Sequence, residues 1–249
     1  MSTRPLFSII TITYNAGHTV GRTLASIDSQ TCRDFEHLII DGASSDDTLD
    51  IIAHSPGAGQ RRLVSEPDKG LYDAMNKGVR MASGEYLIFL NAGDKFHAAD
   101  TLGIIADCIT RCNHPGIVYG QTDLVDDEGR YLGPRHLTAP AQLAFSDFAR
   151  GMLVCHQAFV VRRDIAPEYN LQWRYSADYE WCLRCLRNSS ANVYTGATLI
   201  DYLYEGLTTA NRKRSLIERY KIMCKYYGYA STTLRHIGFA FRFLKTEKH

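Results

Sequence analysis

Tyr86-Leu87-Ile88-Phe89-Leu90-Asn91-Ala92-Gly93-Asp94 is a run of five apolar residues that ends in a glycine turn and a carboxylate. Apolar at every position, it reads as a strand buried on both faces, which is the signature of a parallel sheet covered by helices. Working outward, the segments before it alternate strand and helix. Residues 7–14 (FSIITITY) are rich in β-branched types, and 19–27 carry Val20, Leu24 and Ile27 at helical spacing. Residues 35–40 read as a second strand, 46–53 as a helix, 62–64 as a short strand, and 71–81 as a helix with Leu71, Met75 and Val79 four apart. This βαβα order predicts an α/β fold, Rossmann-like, whose ligands sit at the carboxyl ends of the strands.

Beyond residue 94 the order loosens. Residues 99–112 read as a helix, 116–124 as a strand, Asp126-Asp127-Glu128-Gly129 as a hairpin turn, 158–161 as a strand, 178–187 as a helix and 191–204 as mostly extended. From residue 211 the pattern is helical, with a break near Gly228. No internal repeat is visible.

The 249 residues suit one large domain with an appendage, and 45% hydrophobic against 22% charged residues excludes disordered and low-complexity readings. A net charge of +1 removes any global case for a nucleic-acid partner. The apolar run in residues 1–14 is too short for a membrane span of about 20 residues. Seven scattered cysteines, an odd number, do not resemble a disulfide framework, so a reducing cytoplasm is expected. Cys108 and Cys112, and Cys182 and Cys185, invite a zinc reading, but cysteines on helix faces behave as small hydrophobes.

The strand ends carry the chemistry. Strand one ends in Thr13-Tyr14-Asn15-Ala16-Gly17, and strand two in Asp41-Gly42-Ala43-Ser44-Ser45-Asp46-Asp47-Thr48. An Asp leaving a strand at that edge can accept from a base imide or a ribose hydroxyl, which is the role expected of Asp41, whereas Asp46 suits a helix cap. Asp94 is delivered to the same edge by the buried strand. A divalent cation on a diphosphate needs only one or two protein oxygens, so Asp94 is the candidate ligand for Mn2+ or Mg2+.

These strand ends resemble the family-two glycosyltransferases with the GT-A fold, over about residues 6–205. The loop 41–48 looks like that family's uridine-binding loop. Glu66-Pro67-Asp68-Lys69-Gly70-Leu71-Tyr72-Asp73-Ala74-Met75-Asn76-Lys77-Gly78 resembles a branch that builds bacterial exopolysaccharides and capsules, as in colanic acid. Asn91-Ala92-Gly93-Asp94 occupies the place of the Asp-x-Asp metal motif, with Asn91 and Gly93 where carboxylates are commoner. Cys155-His156-Gln157 matches the same branch, and Ser176-Ala177-Asp178-Tyr179-Glu180-Trp181 aligns with the helix start that bears the catalytic base. The late Gly-Gly-x-Ser element appears here as Glu205-Gly206-Leu207-Thr208-Thr209.

The resemblance implies a GT-A catalytic domain over 1–205 and a helical extension over 206–249. It implies inverting transfer from a nucleoside diphosphate sugar, UDP-linked, to a glycan or lipid-linked acceptor, with Asp178 as base and Asp94 on the metal. Thr13, Asn15, Asp41, Asp68, Lys69, Asp73, Asn76 and Asn91 are then expected at nucleotide and donor, and His156 and Gln157 at acceptor or diphosphate. Two other classes compete: a sugar nucleotidyltransferase, which would carry a basic Gly-rich loop after strand one, and a noncatalytic nucleotide-sugar binder derived from a transferase. A dehydrogenase lacks its G-x-G-x-x-G here.

The near-zero charge hides an asymmetry. Residues 211–249 hold ten Lys and Arg against two Glu, a net +8, so the remainder carries −7. Aromatics interleave with these cations, which suits an inner-leaflet membrane surface; the competing expectation is that these helices pack on the catalytic body.

Overall fold

The computed structural model describes residues 4–204 and 212–246, with side chains for 4–204 and 213–237. The Glu205–Thr209 element lies outside the described residues.

The amino-terminal half forms as its periodicity predicts. Strand β1 (Phe7–Thr13) leads to helix α1 (Gly17–Asp28), β2 (Phe35–Asp41) to α2 (Thr48–His54), and β3 (Arg61–Ser65) to α3 (Leu71–Met81), before β4 (Tyr86–Phe89). β1 and β4 are buried at every residue, as a strand covered on both faces must be. The sheet runs β3-β2-β1-β4, all parallel, so chain direction reverses its progress across the sheet between β1 and β4. Such a switch point opens a crevice at the carboxyl ends of the strands. Parallel register sets Thr13 beside Asp41, aligning the two loops that follow.

The second half is mixed. After β5 (Lys95–Phe96) and α4 (Thr101–Arg111) come β6 (Ile117–Val125), β7 (Tyr131–Pro134), β8 (Phe159–Arg162), α5 (Ala177–Asn188) and β9 (Asn192–Leu203). β8 inserts antiparallel between β4 and β6, and β7 closes the expected hairpin on β6. β9 runs parallel to β6 and antiparallel to β5. The expectation of a mostly parallel sheet holds, through β1 to β4 and β6 with β9, and β8 is an antiparallel insertion within it. The reason is the connection: short 3-10 turns, not a helix, separate β7 from β8, so no right-handed crossover returns the chain in parallel. β5, two residues long, has no periodicity of its own and exists through its pairing with β9.

The core between sheet and α5 centres on Trp181. Its ring stacks on Tyr169 at 5.0 Å and meets Phe89 edge-on at 5.7 Å, while its Nε1–H donates to the Pro167 carbonyl at 2.6 Å. Cys182 and Cys185 are fully buried in this core as small hydrophobes, and the seven cysteines form no disulfide.

Two further helices, α6 (Arg212–Tyr227) and α7 (Tyr229–Thr246), meet at Gly228. α6 buries Ser215, Ile222 and Met223 against the body. Its Glu218 carboxylate accepts from the backbone N–H groups of Arg174, Tyr175 and Ser176 at 3.0, 2.7 and 3.1 Å, fixing the chain just before α5. Tyr226 donates to Glu180 and Tyr227 to the Phe145 carbonyl, each at 2.6 Å.

Candidate active site

A cleft of about 1020 Å³ lies at the switch point. Its walls are the loops that leave β1 (Tyr14 to Ala16), β2 (Gly42), β3 (Pro67 to Leu71) and β4 (Asn91, Ala92, Asp94), with Gln157, Arg174, Tyr202 and Leu203 from the second half. Four polar strand ends, far apart in sequence, thus line one crevice of nucleotide-sugar size.

Asp41 builds this crevice and does not line it. It is fully buried, and its carboxylate accepts from Thr13 Oγ1 (2.8 Å), Ser44 N (2.8 Å), Ser44 Oγ (2.5 Å) and Ser65 Oγ (2.7 Å). Burial works to raise its pKa, but these four bonds hold it below the usual carboxylate value. With its lone pairs so engaged, the direct reading of a base expected of Asp41 finds no open acceptor. What the bonds stabilise is a tight loop in which Ala43 adopts φ 61°, a conformation that costs a non-glycine residue about 1 kcal/mol or more.

The first loop is laced to the second. Asn15, at φ 47°, donates its N–H to Ser44 Oγ (2.8 Å) and accepts at Oδ1 from Ser45 N (2.9 Å). Asp46 accepts from Gly17 N (3.0 Å) and from Thr48 N (3.1 Å), so it pins α1 as well as closing the start of α2. Gly42 sits between Tyr14 and Asp68: a Cβ there would fall 2.7 Å from Asp68 Oδ2 and 3.3 Å from the Tyr14 ring. Asp68 accepts from Gly70 N at 2.7 Å, and Asp73 accepts from Lys69 N at 3.0 Å, which shapes the turn into α3. Asp68 and Lys69 line the cleft; Asp73 does not.

Asp94 is 3% exposed, and its two oxygens accept from Leu203 N (2.9 Å) and Gln157 Nε2 (2.8 Å). Burial pushes its carboxyl up to about 7, against the opposing pull of those two bonds and the positive charge of Arg22. Beside it in the cleft wall, Asn91 Oδ1 is buried without a hydrogen-bond partner. An orphaned amide oxygen and a desolvated carboxylate are hard oxygen donors, and an added divalent charge would relieve the cost of ionising Asp94. The donor set therefore fits Mn2+ or Mg2+. A separate group of His97, Asp123 and Asp201 brings ligand-type atoms within 4.8 Å of one another. There Asp201 already pairs with Lys95 (2.7 Å) and His97 (2.6 Å), and none of the three lines the cleft.

Asp178 stands in the first turn of α5, half-buried, beyond the cleft wall. Oδ1 accepts from the Tyr72 hydroxyl (3.1 Å) and from Tyr179 N (2.8 Å), while Oδ2 accepts no hydrogen bond among the described residues. Tyr202, in the cleft wall, lies within electrostatic reach of both carboxylates: burial first, and then the charges of Asp94 and Asp178 among others, push its phenol well up.

Besides Asp41 and Asp73, two more residues expected at ligand lie outside the cleft wall, Asn76 and His156. Asn76 is 3% exposed and is spent on the backbone of Tyr169, donating to its carbonyl (3.0 Å) and accepting from its N–H (2.6 Å). His156 bonds to the Tyr169 hydroxyl at 2.7 Å inside a cage of Phe89, Tyr169 and Trp181. Burial lowers its pKa to about 4, with the charge of Asp178 acting in the opposite sense, so it is a neutral core histidine. Of the residues singled out from sequence, the cleft gathers Thr13, Asn15, Asp68, Lys69, Asn91, Asp94 and Gln157. Sequence reasoning passed over Tyr14, Tyr72, Arg174 and Tyr202. Tyr14 and Tyr72 lie inside motifs already quoted, whereas Arg174 and Tyr202 are brought in by tertiary folding alone.

Comparison with known proteins agrees with this arrangement. Residues 8–169 match the model of Glycosyl transferase family 2. The chain is 39% identical over 190 residues to the PGL/p-HBAD biosynthesis glycosyltransferase of Mycobacterium bovis, covering 74% of this chain and 71% of that one. It is 26% identical over 211 residues to the amylovoran biosynthesis glycosyltransferase AmsB of Erwinia amylovora, covering 79% and 69%. Among solved structures, S. aureus TarS 1–349 in complex with UDP superposes with a TM-score of 0.66 at 16% identity, covering 89% of this chain and 70% of that one. The mannosyltransferase PcManGT of Pyrobaculum calidifontis, in complex with GDP-Man and Mn2+, gives 0.62 at 19% identity, covering 88% and 64%. The α/β sheet with a cleft at its switch point is of GT-A type. The chain belongs to glycosyltransferase family 2.

Proposed function

We propose that the chain transfers a sugar from a nucleoside diphosphate sugar, UDP-linked, to a glycan or lipid-linked acceptor with inversion, in building a bacterial surface polysaccharide or glycolipid. The observation that carries this reading is the pairing of a donor-sized cleft with a carboxylate just beyond it that has one oxygen unengaged. Tyr14, 67% exposed over Gly42, offers a face for a base, and the Asn15, Gly42 and Asp68 wall offers polar edges for base and ribose. Asn91 and Asp94 would hold the divalent ion, which when bound neutralises charge on the departing diphosphate.

The chain's own residues do the rest. In a single in-line displacement the acceptor oxygen forms the new bond to the anomeric carbon, and the bond to the diphosphate breaks with its electron pair leaving on the diphosphate. Asp178 Oδ2 takes the acceptor proton, and Tyr72 with Tyr179 N holds Oδ1 so that Oδ2 keeps its aim. The acceptor would then enter on the Arg174 and Tyr202 side, met on the cytoplasmic side of a membrane where it is lipid-linked.

UDP and GDP sugars are to be screened for thermal stabilisation of the chain with and without Mn2+, since a ligand of the native state raises Tm. The expected result is stabilisation by a UDP sugar that Mn2+ enhances. Indifference to every nucleotide sugar at millimolar concentration would remove the reading.

A further inference from the structure

Among the described residues, the C-terminal helices engage three of their four aromatics within the fold. Tyr226 and Tyr227 bond to the body, Tyr220 bonds to Thr233 across the two helices at 2.8 Å, and Arg187 lies 4.7 Å over the Tyr226 ring. What they leave outside is aliphatic and cationic. Of the eleven large hydrophobic side chains exposed among the described residues, five belong to this pair of helices: Leu216, Ile217, Tyr229, Leu234 and Ile237. Lys213, Lys221 and Arg235 stand exposed among them, as do Arg214 and Lys225, which also reach Tyr175 and Glu180 of the body.

The signs of these charges separate a solvated face from a docking face. A helix that merely packs on its domain shows water a mixture of acidic and basic groups. Residues 212–246 contain a single acidic residue, Glu218, and its carboxylate points inward to three backbone N–H groups. The outer face therefore carries cations and apolar side chains with no exposed carboxylate among the described residues. Beyond Ile237 the sequence of α7 continues Phe239, Phe241, Arg242, Phe243, Leu244 and Lys245. No helix among the described residues is long and apolar enough to cross a membrane, so this pattern calls for a surface and not a span.

We infer that the outer face of α6 and α7 docks on an anionic lipid bilayer. Apolar side chains amid lysines and arginines, with negative charge excluded, complement lipid headgroups above an acyl layer. The same Glu218 that anchors α6 also fixes Arg174, a wall of the cleft, so docking would orient the acceptor side toward the bilayer. That last consequence rests on the transferase reading, because a lipid-linked acceptor would be met at that surface; docking itself does not.

The test is cosedimentation of the full chain, without donor or metal, with vesicles of phosphatidylcholine plus phosphatidylglycerol or of phosphatidylcholine alone. The wild type is expected to pellet with the anionic vesicles only and to be released by salt. Leu216→Gln with Ile217→Gln, and separately Lys213→Gln with Lys221→Gln, should each weaken binding about tenfold at unchanged circular-dichroism melting. Failure of the wild type to bind anionic vesicles, or undiminished binding by both variants, overturns the proposal. So does sedimentation velocity showing a dimer that depends on Leu216 and Ile217 without vesicle binding, which would give the face to a second copy of the chain. None of these outcomes touches the transferase reading.

Discussion

Tyr72 donates to Asp178 at 3.1 Å from the first turn of α3, across 106 residues of sequence, and its buried hydroxyl makes no other hydrogen bond among the described residues. Such a contact fixes one carboxylate oxygen and leaves the other to the reaction. Tyr72→Phe is expected to lower turnover about tenfold while nucleotide Kd stays within about twofold, a split that steady-state kinetics beside calorimetric titration would read. Asp41 works differently. Its substitution by Ala strands Thr13, Ser44 and Ser65 hydroxyls around a buried hole, so Asp41→Ala should cost about 1–3 kcal/mol of stability in urea unfolding and weaken nucleotide binding only through the loop. At this scale the sequence revealed which residues gather at the strand ends. It did not distinguish a carboxylate that meets ligand from one that braces a loop, because the difference lies in the hydroxyl partners of Asp41, supplied by three separate loops and strands.

The elements were more legible than their partnerships. Apolar periodicity located β1 to β4 and α1 to α3 within a residue or two, since each is a local pattern facing a common core. The antiparallel insertion of β8 was not legible, because strand direction is set by the connection, and the 3-10 turns before β8 carry no periodic signal. Two elements make checkable contributions. A methyl at Gly42 would collide with Asp68 Oδ2 at 2.7 Å, so Gly42→Ala should weaken nucleotide affinity roughly tenfold by calorimetry, with little change in Tm because the loop is at the surface of the cleft. Glu218 ties α6 to the chain before α5 by three backbone bonds, and Glu218→Ala should raise hydrogen exchange at Arg174 to Ser176 selectively.

Across the whole molecule, charge and protonation are distributed unevenly. His37 and His156 are buried and neutral, their pKa values lowered to about 3 and about 4, in each case by burial first. A histidine lowered in the folded state binds fewer protons than its unfolded counterpart. Stability is therefore full above the unfolded value of about 6.5 and is lost progressively as pH falls toward the folded values. Urea unfolding should show this as a loss of order 1 kcal/mol per histidine for each pH unit below about 6.5. The charge asymmetry was legible from composition, as were its two competing uses, a membrane surface and packing on the body. The packing of α6 shows that Tyr226 and Tyr227 serve the body, while Leu216, Ile217, Lys213 and Lys221 remain outside.

The cleft and Asp178 together make the central claim, and turnover of the donor identified by thermal screening tests it most directly. Release of nucleoside diphosphate would be followed for wild type and Asp178→Asn, with nucleotide Kd measured on the same samples. Asp178→Asn is expected to lose about a thousandfold in turnover with Kd within about twofold of wild type, the magnitude that a positioned general base supplies. Wild-type turnover in that variant, or a loss of turnover explained by lost nucleotide binding, would contradict the assignment of Asp178 as the base.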